Sequence, residues 1–498
     1  MDLPLIDLIV FLVYMGAIVL FGISFSFRKR TALEYTTGGG RLPSWAIGMS
    51  IFATFVSSIS FLALPGNAYL SNWNGFVFSL SIPLAAWIAV RYFVPLYRNL
   101  KSESAYYYLE TRFGAWARTY ASICYLLTQL ARMGAIMYLL ALPMNALFGW
   151  SIPLIIICTG ISVVIYAMLG GIEAVIWTDA IQGIVLIGGA LVCLLVIMFS
   201  MPNGPGEVFT IAAGADKFSL GSFEFNFVES TFWMILVYGL FINLQNFGID
   251  QSYIQRYITA RNEKEAKRST WFGSLLYVPV SLLFFFIGTA LFSYYHVFPD
   301  LLPEELRLAE NADKVFPYFI VSGLPTGVTG LLIASIFAAG MSTVSTSINS
   351  SATVFLSDHY RKYINKNTTE KQSMRVLLIT SFIMGGLSIA VGLAFNGVTS
   401  ALEAWWALSS IFSGGILGLF LLGFVVKKAS NKAASIGVLC GVVVIGWMSL
   451  SPVLLMGTPI EGFKNTLHTN LTIVMGTLTI FIVGFLLTGL FANQNTGK

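Results

Sequence analysis

Charge is scarce in this sequence. Only 10% of its 498 residues are Asp, Glu, Lys or Arg, against about 25% in an ordinary soluble domain. Histidine numbers 3 and cysteine 4. Each shortage excludes something. With 56% hydrophobic residues, the chain has too little polar surface to clothe a soluble fold. It is equally unlike a disordered segment or a collagen. Cys124, Cys158, Cys193 and Cys440 all lie inside apolar runs with no CxxC spacing, so neither a disulfide framework nor a zinc site is implied. His296, His359 and His468 fall at or beyond the ends of apolar runs, and there is no HExxH and no GxxxxGK[ST] loop. Metal hydrolysis and direct ATP use therefore lack their residues, and no polar stretch is long enough for a kinase or sensor module. The chain does not read as an enzyme. Any uphill work must draw on an ion gradient, where one charge moving down 100 mV releases about 2.3 kcal/mol.

What is present is a series of apolar runs, each near the ~20 residues a helix needs to cross hydrocarbon. Thirteen are expected: 4–27, 44–70, 75–97, 117–148, 152–169, 179–200, 228–249, 270–296, 316–357, 375–395, 402–426, 433–453 and 470–492. Strands open to lipid leave backbone groups unpaired, and the runs lack the period-two alternation of a barrel. The fold class is an all-α polytopic membrane protein. Basic residues mark every second loop: Arg28–Arg30, Arg98–Arg118, Arg256–Arg268, Arg361–Lys371 and Lys427–Lys432. The positive-inside rule puts these loops in the cytoplasm, the N-terminus outside and the C-terminus inside. Before the first run stands Asp2 and no Lys or Arg, unlike a cleavable signal.

Ionisable residues at membrane depth are costly and mark function. Arg132 lies in TQLARMGAIMYLL, at least fifteen residues from either end of its run. Its planar fork suits a carboxylate, and no acid in a neighbouring run is an obvious partner, so an anionic substrate is expected to supply one. Asp179, in GGIEAVIWTDAIQG, leaves two readings open: an N-cap for the sixth run, or a hard oxygen ligand for a cation. Glu173 is expected in a short cytoplasmic turn. The second run gathers Thr54, Ser57, Ser58 and Ser60 at its middle, and Asn243, Gln245 and Asn246 stand within the seventh. Asp250, near the cytoplasmic end, is expected to face water. Ser342, Ser345, Thr346 and Asn349 fall at i, i+3, i+4 and i+7. They share one helix face, which serves either close helix packing or an oxygen-lined sodium site.

Four stretches carry a family resemblance: GGGRLPSWAIGMSIFATFVSSISFLALPGNAY (38–69), GGIEAVIWTDAIQG (170–183), QSYIQRYITA (251–260) and GLLIASIFAAGMSTVSTSINS (330–350). Over essentially its full length the chain resembles the sodium/solute symporter family, and within it the bacterial sialic acid transporters. The resemblance implies a LeuT-like fold. An N-terminal extra helix (1–30) precedes two inverted five-helix repeats (31–200 and 201–430), and two C-terminal helices follow (431–498). It also implies a sodium-coupled symporter for sialic acid or a related acidic sugar, with two sodium ions per substrate. Such a protein sits in a bacterial plasma membrane, functions as a monomer and binds no nucleic acid. Relatives taking another carboxylate, proline or a sugar are the alternative. Position by position, Ala53 and Val56 correspond to carbonyl donors of a shared sodium site, with Ser342, Ser345 and Thr346 adding hydroxyls. Asp179 corresponds to the carboxylate of a second sodium site. Ser57, Ser60, Arg132 and Asn243 correspond to the substrate pocket. Phe55 stands where a sialic acid relative has Thr, Gly75 replaces an aromatic residue, and Ser79 replaces a Gln that reaches the substrate, so the part of the pocket facing the sugar's tail differs.

Overall fold

A computed structural model of the chain describes residues 4–100, 102–396, 408–409 and 411–494. Among these the architecture is helical throughout. The elements that matter here are α1 (Leu5–Ser24), α2 (Ser44–Phe55), α3 (Ser58–Leu70), α4 (Trp73–Leu100), α5 (Ala115–Phe148), α6 (Ile152–Phe199), α7 (Phe232–Ile249), α8 (Gln251–Thr259), α9 (Glu263–Val297) and α10 (Val328–Val354). Ten described helices are long and apolar enough to span a membrane, or eleven when the bent pair α2–α3 counts as one. Thirteen runs were expected. Two of them, 152–169 and 179–200, are arms of α6. The eleventh, 402–426, begins outside the described residues and contributes only the shorter apolar helix Ile411–Val425.

A straight helix of 48 residues, the length of α6, would run about 72 Å, more than twice the hydrocarbon thickness. Gly171 interrupts it at φ 61°, ψ −166°, a left-handed backbone that suits glycine. A Cβ there would also press on the Tyr35 carbonyl at 3.0 Å. Past it the chain doubles back. Tyr166 on the first arm donates to the Met341 carbonyl at 3.2 Å, and Asp179 on the second meets Ser342 at 2.7 Å. Residues thirteen apart on one straight helix would stand about 20 Å apart, not against the same turn of α10. Glu173 sits at this turn and pairs with Arg28 at 2.9 Å, as its loop position suggests.

Two spans are broken. α2 ends at Phe55, Val56 and Ser57 are extended, and α3 restarts at a 56° bend. α7 ends at Ile249, and Asp250 (φ −76°, ψ 121°) begins α8. Around these breaks α1, α2, α3, α5, α6 and α8 pack on α10, 89% of whose apolar window is buried, against 22% for α1. Its interior is a run of Ala, Gly, Ser and Thr, the small residues that let membrane helices approach closely.

The peripheral α1 is nonetheless tied to this central helix. Asp7 is fully buried, and its Oδ1 accepts the amides of Gly327 and Gly330, each at 2.7 Å. It thereby satisfies two orphan donors at the start of α10. A Cβ on Gly330 would come within 2.4 Å of the Asp7 carbonyl, so glycine keeps the approach open. On the loop after α6, the Lys217 ammonium donates to the carbonyls of Tyr69 and Ser71 at 2.7 and 2.8 Å, closing the C-terminus of α3 where a cation is favoured. It also stands 4.0 Å from the centre of the Phe292 ring.

Two outcomes follow. Asp7→Ala leaves the two amides unpaired and is expected to cost about 1–3 kcal/mol, read as a lower Tm in detergent; Asp7→Asn, which still accepts, is expected to lose less. Burial pushes the Lys217 amine down to about 8 from an ordinary value near 10.4. The folded state therefore sheds this proton before the unfolded state does, and the group's contribution to stability rises with pH between about 8 and 10. The Tm of the parent minus that of Lys217→Met should grow across this window, and a constant difference would refute the assignment.

Candidate functional site

The centre of the molecule holds a carboxylate shared by four helices. Asp179 lies eight residues past Gly171 in α6, two turns inside its arm. It is therefore not an N-cap, which corrects that reading. Its Oδ1 accepts from Ser342 Oγ at 2.7 Å. Its Oδ2 accepts from Ser50 Oγ at 2.6 Å, Arg256 Nη2 at 2.7 Å and Thr346 Oγ1 at 3.4 Å. Arg256 was placed by its charge in a cytoplasmic loop; it is wholly buried. Its Nε donates to Ser50 Oγ at 2.7 Å, its Nη1 to the Ser252 carbonyl at 2.5 Å and its Nη2 also to Thr346 Oγ1 at 2.7 Å. The reason is local: α8 turns inward after the break, and Ser252, Gln255, Arg256 and Thr259 are all buried with it. Two buried charges persist only when paired and fully hydrogen-bonded, and both are.

Sodium prefers oxygen donors, and this region offers little else. Ala53 and Val56 stand at the end of α2, where the last carbonyls of a helix have no following amide. Ser342 and Thr346 meet Asp179, while Ser345 Oγ donates to the Ser342 carbonyl at 3.1 Å along its own helix. The donor set fits a hard monovalent cation. Its tension is Arg256: any cation bound at Asp179 competes with a guanidinium already there.

One turn away is the second charged centre. Arg132 on α5 donates from Nη2 to the Thr54 carbonyl at 3.3 Å, the negative end of α2. Its side chain is partly exposed, and among the described residues no carboxylate lies within ion-pair distance of it. Beside Thr54, the Phe55 ring packs on Tyr277, Phe247, Tyr253 and Phe78 at centroid distances of 4.3, 5.6, 6.3 and 6.4 Å. Asn243 is buried, its Nδ2 donating to Ser81 Oγ at 2.9 Å and to the Phe78 carbonyl at 3.5 Å; its Oδ1 has no partner among the described residues. Arg132, Thr54, Phe55, Phe78 and Asn243 are therefore joined through successive contacts. Ser57 caps α3, its Oγ accepting the Ser60 amide at 3.4 Å. Ser79 is buried and donates to Ser281 Oγ at 2.8 Å.

Sequence reasoning missed several of these residues. Arg256, Ser50, Gln129 and Asp250 all belong to the polar interior. Asp250, expected to face water, caps α8 through the Ser252 amide at 2.7 Å and accepts from Gln129 Nε2 at 3.3 Å. The available signal was charge balance. A carboxylate at the depth of Asp179 demands a cation, and Arg256 in QSYIQRYITA is one helical turn from the polar Ser252.

Comparison with known proteins bears on this arrangement. The sodium:solute symporter family model matches residues 35–441. The sodium/sialic acid symporter SiaT of Proteus mirabilis is 37% identical over 448 residues, 89% of each chain. The sodium/sialic acid symporter NanT of Aliivibrio fischeri is 35% identical over 488 residues, 97% of this chain and 92% of its own. A solved substrate-bound, outward-open state of a Na+-coupled sialic acid symporter superposes with a TM-score of 0.88 at 34% identity, covering 98% of both chains. The fold is thus that of the LeuT-like transporters, sodium is the coupling ion, and the chain is a multi-pass membrane transporter of the sodium:solute symporter family.

Proposed function

We propose that this protein imports sialic acid, N-acetylneuraminate or a close acidic sugar, with two sodium ions per substrate. One observation carries the reading: Arg132 stands at the broken second span and, among the described residues, has no carboxylate paired to it; among the same residues the buried acceptor of Asn243 is also unpartnered. The substrate carboxylate completes Arg132, and Asn243, Ser57 and Ser60 meet its polar groups. Ala53, Val56 and Ser345 offer oxygens to one sodium; Asp179, Ser342 and Thr346 offer them to the other. The two repeats, 31–200 and 201–430, move against each other to alternate access. The N-terminus lies outside and the C-terminus inside, and the unit acts as a monomer in a bacterial plasma membrane.

A second reading, a different carboxylate as substrate, draws on Phe55 and Ser79. The aromatic cluster around Phe55 and the Ser79–Ser281 bond leave the tail side of the pocket with less hydrogen-bonding capacity than a polyol tail uses. Counterflow against a panel of acids separates the two.

Purified protein is expected to bind N-acetylneuraminate in sodium and not in potassium. Arg132→Ala removes a desolvated charge pair, a loss of about 2–4 kcal/mol or roughly 30- to 1,000-fold in affinity. Undiminished binding in that variant sinks the reading. Asp179→Ala is expected to flatten the sodium dependence of binding. Arg256→Met leaves Asp179 uncompensated, a penalty of about 3–5 kcal/mol that a bound cation offsets. Its Tm should fall in potassium and recover more in sodium than the parent's does, and equal sodium shifts in the two proteins would exclude competition at Asp179.

A further inference from the structure

The break in the seventh span supplies a carboxylate that the proposed transport cycle leaves unused. Asp250 is placed where α7 ends and α8 begins, with its Oδ1 bonded to the Ser252 amide at 2.7 Å. Its other oxygen accepts from Gln129 Nε2 at 3.3 Å. Gln129 and Arg132 are three residues apart on α5, neighbours on one helix face. Gln129 is itself fixed from the other side, its Oε1 accepting from Ser347 Oγ of α10 at 2.7 Å. The bridge therefore lies on the same face as the guanidinium that the substrate is to meet. Arg256, the cation on α8 itself, is already taken by Asp179 at 2.7 Å. No ion pair joins Asp250 and Arg132 in this state. Between them stands Gln129, held by hydrogen bonds that the chain itself makes.

We propose that Asp250 is the internal counter-charge of Arg132: it neutralises the guanidinium when the acid has departed, and the arriving substrate carboxylate displaces it. The inference rests on the reading of Arg132 as the anion anchor. A guanidinium at membrane depth with no anion is costly, and an empty transporter must pass through such a state on every cycle. A carboxylate fixed on the second broken span removes that cost. It also competes with the substrate carboxylate for Arg132, which weakens binding and hastens release. Asp250 is a positioning residue in this scheme, acting on the substrate only through Arg132.

The test separates this role from a structural one. Asn and Ser both cap helices, so Asp250→Asn and Asp250→Ser keep the α8 cap while removing the charge. Each is expected to bind N-acetylneuraminate in sodium about tenfold more tightly than the parent, which is about 1.4 kcal/mol. Proteoliposome uptake should show a several-fold lower KM together with a several-fold lower maximal rate, because release slows. A merely structural defect weakens binding instead. Affinity that is unchanged or weaker in both variants overturns the proposal. In the Arg132→Ala background, Asp250→Asn should produce no tightening, and a tenfold gain there also overturns it. If Arg132→Ala alone leaves binding intact, the anchor reading fails. If Arg132→Ala abolishes binding and the Asp250 variants do not tighten it, only the counter-charge role fails.

Discussion

The fold turns on one buried ion pair. Asp179 and Arg256 have no solvent exposure, so neither charge is tolerable without the other. Their hydrogen bonds draw in Ser50 of α2, Ser342 and Thr346 of α10 and the Ser252 carbonyl of α8. Four helices from distant parts of the sequence are held at one point by groups that lipid cannot satisfy. In water such a network would compete with solvent. At membrane depth no solvent is available, and each donor left open would cost several kcal/mol. The pair thus specifies which helices meet, beyond what apolar packing between similar surfaces does.

The same constraint explains why the two broken spans carry opposite charges beside them. A break exposes carbonyls at the end of the first half-helix and amides at the start of the second. At α2 the exposed carbonyl of Thr54 takes the Arg132 guanidinium; at α8 the exposed Ser252 amide takes the Asp250 carboxylate. Each charge is opposite in sign to the helix end it faces. The breaks are therefore stable in place and at the same time present polar groups near the middle of the protein.

Much of this was legible in the sequence, and the part that was not has a physical cause. Apolar runs declare helices because length and composition decide them, and Arg132 declared itself by its distance from any water. The doubling back of α6 was legible from the two runs, although its turn is so short that only Gly171 interrupts the helix. The burial of Arg256 was hidden because charge counting treats every Arg between spans as a loop residue. A half-helix that folds inward after a break looks, in one dimension, the same as a cytoplasmic loop. Asp179 was ambiguous because a helix start set at 179 makes it a cap, whereas the arm in fact begins eight residues earlier, at Gly171. Asp7 drew no notice because its partners, the amides of Gly327 and Gly330, are backbone groups 320 and 323 residues away.

The two charged centres are also close enough to be coupled without any long-range route. Ser50 touches Asp179 and Arg256; Thr54, one turn later on α2, gives its carbonyl to Arg132. Thr54 Oγ1 donates back to the Ser50 carbonyl at 2.7 Å and lies 3.4 Å from Thr346 Oγ1. Four residues of helix advance about 6 Å, so the whole separation is a single turn. Any rearrangement of donors around Asp179 when a cation competes with Arg256 is felt at Ser50, and through that turn at the carbonyl Arg132 rests on. Linkage then requires the effect to run both ways: whatever factor the cation applies to the affinity for the acid, the acid applies to the affinity for the cation. The last turn of α2, ending in open carbonyls at a break, is the one element that both ligands of the proposed cycle would bias.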